Sequence, residues 1–223
     1  MIKIEMGTTP SNEEWIFAVN AMRNPMNSWE KSDCVIDEYG EFCVGSDDLN
    51  LMKKLFAAGT EHRKFMRNLT VGLEIIAPLY WWKEFDTYKV GTVCNSCSTM
   101  HKITEKEFTI DDFSHEHLID ICLVERVIDE LNIYRNIYNN YVTQSDEYKT
   151  EFTKKDIWWQ MIQLLPSSYN QKRSVVLNYE TLVNICRQRR NHKLDEWRYF
   201  CEFAAQNVPL LKEITGNILV KNE

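Results

Sequence analysis

Glycine and proline are scarce in this chain of 223 residues, which has seven glycines and five prolines. These two residues mark turns and linkers, and no stretch is rich enough in them, or repetitive enough, to predict a domain boundary or a repeat architecture. Hydrophobic residues make up 44% of the chain, which is enough for the core of one large domain. We therefore predict a single domain spanning residues 1–223.

Long hydrophobic runs are missing as well. The longest uncharged apolar stretch, IIAPLYWW at 75–82, is far shorter than the roughly 20 residues that a membrane helix needs. The first fifteen residues, MIKIEMGTTPSNEEW, contain no apolar signal core. We therefore expect a cytoplasmic protein that has no membrane partner.

Positive charge is in deficit, since the formal net charge is −7. Such a chain has no general attraction for nucleic-acid phosphates, so we expect no nucleic-acid partner and expect any anionic ligand to be held by a local group of residues. The short basic run RQRR at 187–190 is more typical of a helix C-terminus, where cations interact favourably with the helix dipole.

The seven cysteines, an odd number spread along the chain, do not match the disulfide frameworks that stabilise small secreted domains. Only Cys94 and Cys97 make a C-x-x-C pair, and no second pair completes a zinc site. We predict no bound metal. Glycine-rich phosphate-binding motifs of the G-x-x-x-x-G-K-[ST] and G-x-G-x-x-G types are absent too.

Hydrophobic periodicity predicts mostly helices. Ser11 and Ser46 are suited to begin helices, and Gly59 is suited to end the second one. Further helical patterns cover about 116–142, 154–165, 175–189 and 193–206.

One segment, NLTVGLEII, alternates with a period of two and is rich in β-branched residues, which predicts a strand at about 69–76. Because a single strand is not stable alone, we expect further strands in MIKIEM, CVIDEYGEFCV and HKITEKEFT. The predicted class is α+β, a helix-rich single domain with a small sheet.

Polar residues interrupt the apolar side of the helix predicted near residue 180. Asn178 and Arg189 are separated by about three helical turns and lie on one face, and Asn184 lies between them in sequence. These side chains either flank a ligand that lies along the helix, or are structural. In the structural alternative, which spacing alone favours, Asn178 caps the helix, Asn184 is exposed and Arg189 pairs with an acid.

The run LPSSYNQKRSVVLNYETLVNICRQRR resembles the C-terminal core of the flavin-dependent thymidylate synthases. That family has Leu-Pro, then an asparagine, a second asparagine six residues later and an arginine after five more. Leu165 and Pro166, Asn178, Asn184 and Arg189 match the series without a gap. The resemblance implies that the two asparagines contact FAD and that Arg189 contacts the pyrimidine nucleotide as the catalytic residue.

The signature loop of that family, RHRxxSxNxxSxR, falls without gaps on TYKVGTVCNSCST at 87–99. The match is degenerate, but it places Tyr88 and Lys89 at flavin-facing positions and Cys97 at a substrate-binding serine. The resemblance also implies a flavin contact from His62, in AAGTEHRKF, and a substrate contact from Glu84.

Three arginines of the family are replaced here, and the residues in their places are Thr87, Thr99 and Ile162. Arginines hold phosphate through paired charge-assisted hydrogen bonds. Each lost contact costs about 1.5–3 kcal/mol of binding free energy. This chain therefore has the two asparagines that face the flavin in the family, but it lacks the arginines that bind the substrate phosphate.

The resemblance implies the fold of this family, with a small, mainly antiparallel sheet, and a homotetramer. It implies reductive methylation of deoxyuridylate (dUMP) with FAD, methylenetetrahydrofolate and NADPH, in a phage or bacterial setting. Two alternatives remain open. One is a flavin-binding relative that acts on a different pyrimidine, and the other is a non-catalytic oligomeric scaffold of the same fold.

Overall fold

The computed structural model describes residues 2–141 and 152–220. The chain divides into two compact units, within which the contacts are dense. Unit 1 comprises Met1–Lys3, Ile76–Phe85 and Ser96–Arg173, and unit 2 comprises Ile4–Ile75, Asp86–Asn95 and Ser174–Glu223. The single domain over residues 1–223 remains a prediction.

Helices and short strands follow one another along the described residues. In chain order they are β1 (Lys3–Thr8), α1 (Asn12–Arg23), β2 (Val35–Ile36), β3 (Phe42–Cys43), α2 (Ser46–Ala58), β4 (Thr70–Pro78), α3 (Leu79–Phe85), β5 (Thr92–Ser96), α4 (Thr99–Lys102), α5 (Cys122–Asn139), α6 (Lys154–Leu164), β6 (Asn170–Asn178), α7 (Tyr179–Arg189), α8 (Asp195–Asn207) and α9 (Leu211–Thr215).

A four-stranded antiparallel sheet has the strand order β1-β4-β6-β5. The predicted strand at 69–76 is confirmed as β4, in which Val71, Leu73 and Ile75 are buried. The predicted α+β class, helix-rich with a small antiparallel sheet, is confirmed. Among the described helices, none is long and apolar enough to cross a membrane.

Two of the three weaker strand predictions are confirmed. MIKIEM contains β1, and CVIDEYGEFCV contains the β2–β3 hairpin, in which Val35 pairs with Cys43. The third is wrong, because HKITEKEFT includes the end of α4 and then turns. Ile103 and Phe108 from this segment are buried in the hydrophobic core of unit 1, so its apolar residues anchor a loop.

The helix predicted from residue 175 begins later than expected. Residues 175–178 finish β6, in which Val175 and Leu177 are buried while Val176 is exposed. This alternation is the period of a strand, and α7 begins only at Tyr179. The pattern predicted as a helix at 116–142 is likewise shorter, because α5 begins at Cys122, whose backbone N–H donates to the Asp120 carboxylate. Position 142 lies outside the described residues.

A buried ion pair joins α1 to the start of α2 within unit 2. Arg23 Nε donates to Oδ1 of Asp48 at 2.7 Å, and the Asp48 side chain is fully buried. Its second oxygen accepts from Ser32 Oγ at 2.7 Å and from the backbone N–H groups of Asp33 and Cys34. The loop after α1 is therefore fixed by one carboxylate.

Replacing this carboxylate tests how much the loop contributes to stability. Asp48→Ala leaves Arg23 buried without its partner, so we expect the free energy of unfolding in urea to fall by about 3–5 kcal/mol. Asp47→Ala is the matched control, because Asp47 is the exposed neighbour in the same helical turn, and it should cost less than about 1 kcal/mol. Equal losses for the two variants would contradict this account.

Candidate functional site

Unit 2 contains a cavity of about 580 Å³ lined by the segment 87–91, by α7 and by the turn that follows α2. A cavity of this size is typical of small-molecule sites. The lining residues are Thr60, Arg67, Thr87, Tyr88, Lys89, Val90, Gly91, Asn178, Glu180, Thr181, Asn184 and Gln188.

Asn178 begins α7 as its N-cap. Its side-chain oxygen accepts from the backbone N–H of Thr181 at 2.9 Å, which satisfies one of the free donors at a helix N-terminus. The capping role considered for Asn178 is therefore confirmed. The same side chain also lines the cavity, so the structural and ligand-binding interpretations are compatible at this residue.

Asn184 is half-buried rather than exposed, and Arg63 binds its oxygen. Arg63 Nη2 donates to Asn184 Oδ1 at 3.2 Å, and Arg63 Nε donates to Glu180 Oε1 at 3.2 Å. Glu180 is buried, and its second oxygen accepts from Arg67 Nε. This hydrogen bond and the negative charge of Glu180 raise the pKa of Arg67 above its ordinary value.

Arg189, at the end of α7, contacts the cavity through Tyr88. Arg189 Nε donates to the Tyr88 hydroxyl at 2.7 Å, and that hydroxyl is 3.0 Å from Oε1 of Gln188. The Arg189 guanidinium also lies 4.9 Å from the ring centroid of the buried Trp197. Its cation is therefore held in one orientation by a hydroxyl and an aromatic ring.

Gly91 brings the backbone of segment 87–91 close to the start of α7. Its φ is +74°, and a Cβ atom there would lie 2.6 Å from Thr181 Oγ1 and 2.9 Å from Asn178 Nδ2. Thr181 Oγ1 donates to the Val90 carbonyl at 3.2 Å, across 91 positions of sequence. Only glycine allows both this φ and this approach.

The structure brings together four of the residues predicted from the sequence, since Tyr88, Lys89, Asn178 and Asn184 all line this cavity. Arg189 contacts it through Tyr88.

The other three predicted residues are not in the lining. His62 is exposed in the turn after α2, where its backbone N–H donates to the Gly59 carbonyl. Glu84 lies on α3 in unit 1, and Cys97 lines a separate cavity of unit 1 of about 630 Å³. Their assigned roles remain predictions.

Arg63, Arg67 and Glu180 are not among the residues predicted from the sequence. The two arginines are four residues apart, a spacing that can bring both to one acid, and EHRKFMR carries that signal. Nothing in the sequence identifies the acid, because Glu180 is 117 positions from Arg63. Among the described residues, no group of three or more His, Cys, Asp or Glu side chains is placed to hold a metal ion.

No protein-family model matches the sequence, and no curated protein matches it. Solved structures do match. Thymidylate synthase X (ThyX) from Helicobacter pylori, solved with FAD and dUMP, is similar with a TM-score of 0.69 and 14% identity over 98% of this chain and 99% of that one. A second structure, of the flavin-dependent thymidylate synthase ThyX from Helicobacter pylori with the same two ligands, gives a TM-score of 0.71 at 15% identity, covering 98% and 100% of the two chains.

This chain has the fold of the flavin-dependent thymidylate synthases. A UMP/dUMP methylase, PolB from Streptomyces cacaoi bound with 5-Br dUMP, is also similar, with a TM-score of 0.56 and 12% identity over 96% of this chain and 94% of that one. The ThyX-like fold implied by the residues around α7 is thereby confirmed.

Substitution of Gly91 tests the close approach between segment 87–91 and the start of α7. Gly91→Ala places a methyl group against Thr181 and Asn178, so we expect it to lower the free energy of unfolding by about 1–3 kcal/mol beyond the cost of its positive φ. Gly40→Ala is the matched control, because Gly40 has a φ of +80° and nothing within 4 Å of an added Cβ. Urea unfolding of both variants measures the difference, and equal losses would show that the contact at Gly91 is unimportant.

Proposed function

We propose that this protein binds FAD in the cavity of unit 2 and reductively methylates a uracil-containing substrate, with deoxyuridylate as the family substrate. Methylenetetrahydrofolate would supply the carbon and NADPH the reducing equivalents. One observation carries this proposal. Tyr88 and Lys89, and Asn178 and Asn184, come from distant parts of the sequence, were assigned to flavin by resemblance, and line the same cavity.

The residues of this cavity fit a flavin nucleotide. Arg67 and Lys89 supply positive charge for phosphate groups, Tyr88 supplies an aromatic ring, and the amides of Asn178 and Asn184 supply hydrogen bonds. When bound, the flavin supplies the hydride-transfer chemistry, which no side chain can perform. The protein binds it, orients it and positions the substrate.

Arg189 is the residue to which we assign catalysis. Its guanidinium is fixed by the Tyr88 hydroxyl and the Trp197 ring, and a fixed cation can stabilise negative charge that develops on a uracil ring without first reorganising. Tyr88 then links the substrate-facing Arg189 to the flavin cavity. Glu84 and Cys97 are proposed as substrate contacts from the resemblance alone.

A second candidate function changes the substrate. Ile162 stands where the family has an arginine, and here it packs against the hydrophobic core of unit 1, so this position cannot hold a phosphate. Thr87 lines the flavin cavity and Thr99 lines the cavity of unit 1, and neither carries a charge. A pyrimidine that needs no phosphate clamp, such as a nucleoside, is favoured by these three residues.

The third alternative, a non-catalytic scaffold, is less favoured because it leaves the lined cavity without a role. We also propose that the protein is a cytoplasmic homotetramer of phage or bacterial origin. Large exposed apolar side chains, such as Val90 at 88% and Val93 at 62% exposure, provide surface that an assembly could bury.

Flavin occupancy tests the proposed function first. The purified protein, incubated with FAD and passed through gel filtration, should retain flavin absorption in the visible range. Asn184→Leu should lose it while keeping its oligomeric state, because leucine removes the amide and occupies its place. Asn20→Leu is the control, since Asn20 is an exposed asparagine on α1. A colourless wild type, or unchanged occupancy in Asn184→Leu, would overturn this assignment.

Thermal unfolding separates the two candidate substrates, because a ligand that binds the native state raises Tm. With FAD present, we expect deoxyuridylate and deoxyuridine to raise Tm by similar amounts, since the arginines that hold the phosphate are replaced. A shift with deoxyuridylate alone would show that other residues hold the phosphate and would favour the family substrate.

A further inference from the structure

Hydrogen bonds within unit 2 determine which way the cavity amides point. A guanidinium can only donate, so the arm of Asn184 that faces Arg63 must be its oxygen. The backbone N–H of Thr181 likewise requires the oxygen of Asn178. Because the Tyr88 hydroxyl accepts from Arg189, its own proton is directed to the oxygen of Gln188.

In each of these amides the oxygen accepts a hydrogen bond from the protein, and the NH₂ group is not used in that bond. Among the described residues, none accepts a hydrogen bond from the NH₂ groups of Asn178, Asn184 or Gln188, and all three side chains line the cavity. The amide groups of the lining thus offer hydrogen-bond donors to a ligand. A ligand group that accepts hydrogen bonds is favoured, and one that only donates is not.

The charged residues around the cavity favour the same class of ligand, one that accepts hydrogen bonds. Arg67 and Lys89 line it, and Arg63 and Arg189 contact its lining residues. Glu180 is the single carboxylate in the lining, and both of its oxygens are bound by arginines. The lining itself contains two cations, Arg67 and Lys89, and one carboxylate, Glu180, in a chain whose net charge is −7. A local excess of positive charge favours an anion.

Arg63 is held beside Asn184 by Glu180, by Thr60 Oγ1, which accepts from its Nη2 at 3.5 Å, and by the Phe56 ring, whose centroid is 5.3 Å from the guanidinium. Arg63 is buried, at 4% exposure, with its Nε on Glu180 and its Nη2 on Asn184. The planar guanidinium holds both acceptors at fixed angles, which the single ammonium of a lysine cannot do. Glu180, the charged partner among these contacts, therefore contributes to the orientation of Arg63, and Arg63 orients the amide.

We propose that Arg63 and Glu180 form a positioning pair that turns the NH₂ group of Asn184 toward the cavity, and thereby selects the diphosphate of a nucleotide ligand. This inference rests on the proposed flavin site and specifies which part of FAD lies against Asn184. Arg63 and Glu180 act through Asn184, so neither is a catalytic residue.

A double-mutant cycle on FAD affinity tests the positioning pair, with the dissociation constant measured by quenching of flavin fluorescence. Asn184→Ala and Arg63→Lys should each weaken binding about tenfold, as expected for one charge-assisted contact. FAD binding by the double variant should also be weakened by only about tenfold, because without the amide of residue 184 there is nothing for Arg63 to orient. A hundredfold loss in the double variant would show that Arg63 acts independently, and would overturn the proposal.

Asn184→Asp tests the direction of the amide without depending on Arg63→Lys. One carboxylate oxygen keeps the contact with Arg63, while the other replaces the NH₂ group with a negative acceptor. We expect Tm without ligand to be unchanged and FAD binding to weaken at least about a hundredfold. Asn20→Asp, with the same charge change at an exposed position, should bind like the wild type. Wild-type affinity in Asn184→Asp would overturn the proposal.

Thermal unfolding with adenosine diphosphate distinguishes a failure of this inference from a failure of the proposed flavin function. We expect it to raise the Tm of the wild type but not of Asn184→Asp, and adenosine, which lacks the diphosphate, to raise neither. If FAD does not bind but adenosine diphosphate gives this result, the flavin function fails and the positioning pair stands. If FAD binds but adenosine diphosphate gives no shift, or the same shift in both proteins, the diphosphate assignment fails and the flavin function stands.

Discussion

The buried carboxylate of Glu180 is the constraint on which the candidate site depends. A carboxylate that is 5% exposed cannot be stabilised by water, so its charge must be compensated by groups that the fold brings to it. Here those groups are Arg63 and Arg67, from a turn more than a hundred positions earlier. The two ion pairs of Glu180 therefore fix that turn against the first turn of α7. They also fix the positions of two lining residues of the cavity, Arg67 and Glu180 itself.

This arrangement would allow an acidic protein to hold the anionic ligand that we propose. The net charge of −7 opposes anions at long range, but screening limits that effect to about 10 Å. Within the lining, the cations of Arg67 and Lys89 outnumber the carboxylate of Glu180. In the proposed site, the local charge would therefore count for more than the net charge of the chain.

The grouping of four cavity residues could be predicted from the sequence, because a family resemblance depends on residues at short, fixed spacings along the chain. The resemblance grouped Asn178, Asn184, Tyr88 and Lys89, which line one cavity, although their roles remain predictions. Period-two alternation predicted β4, and CVIDEYGEFCV was expected to contain a strand. The start of α7 was misplaced because Val175 and Val176 suit a strand as well as a helix. The Arg63–Glu180 pair could not be predicted, since side chains 117 positions apart meet only once the chain has folded.

Hydrogen exchange with and without FAD tests the central claim most directly, namely that the cavity between segment 87–91 and α7 holds the flavin. The backbone amides of 87–91 and of the first turns of α7 should exchange more slowly when FAD is bound, because the ligand restricts local opening there. Helix α5, which belongs to unit 1, serves as the internal reference. FAD that binds without protecting 87–91 and α7, or that protects other segments instead, would contradict the account.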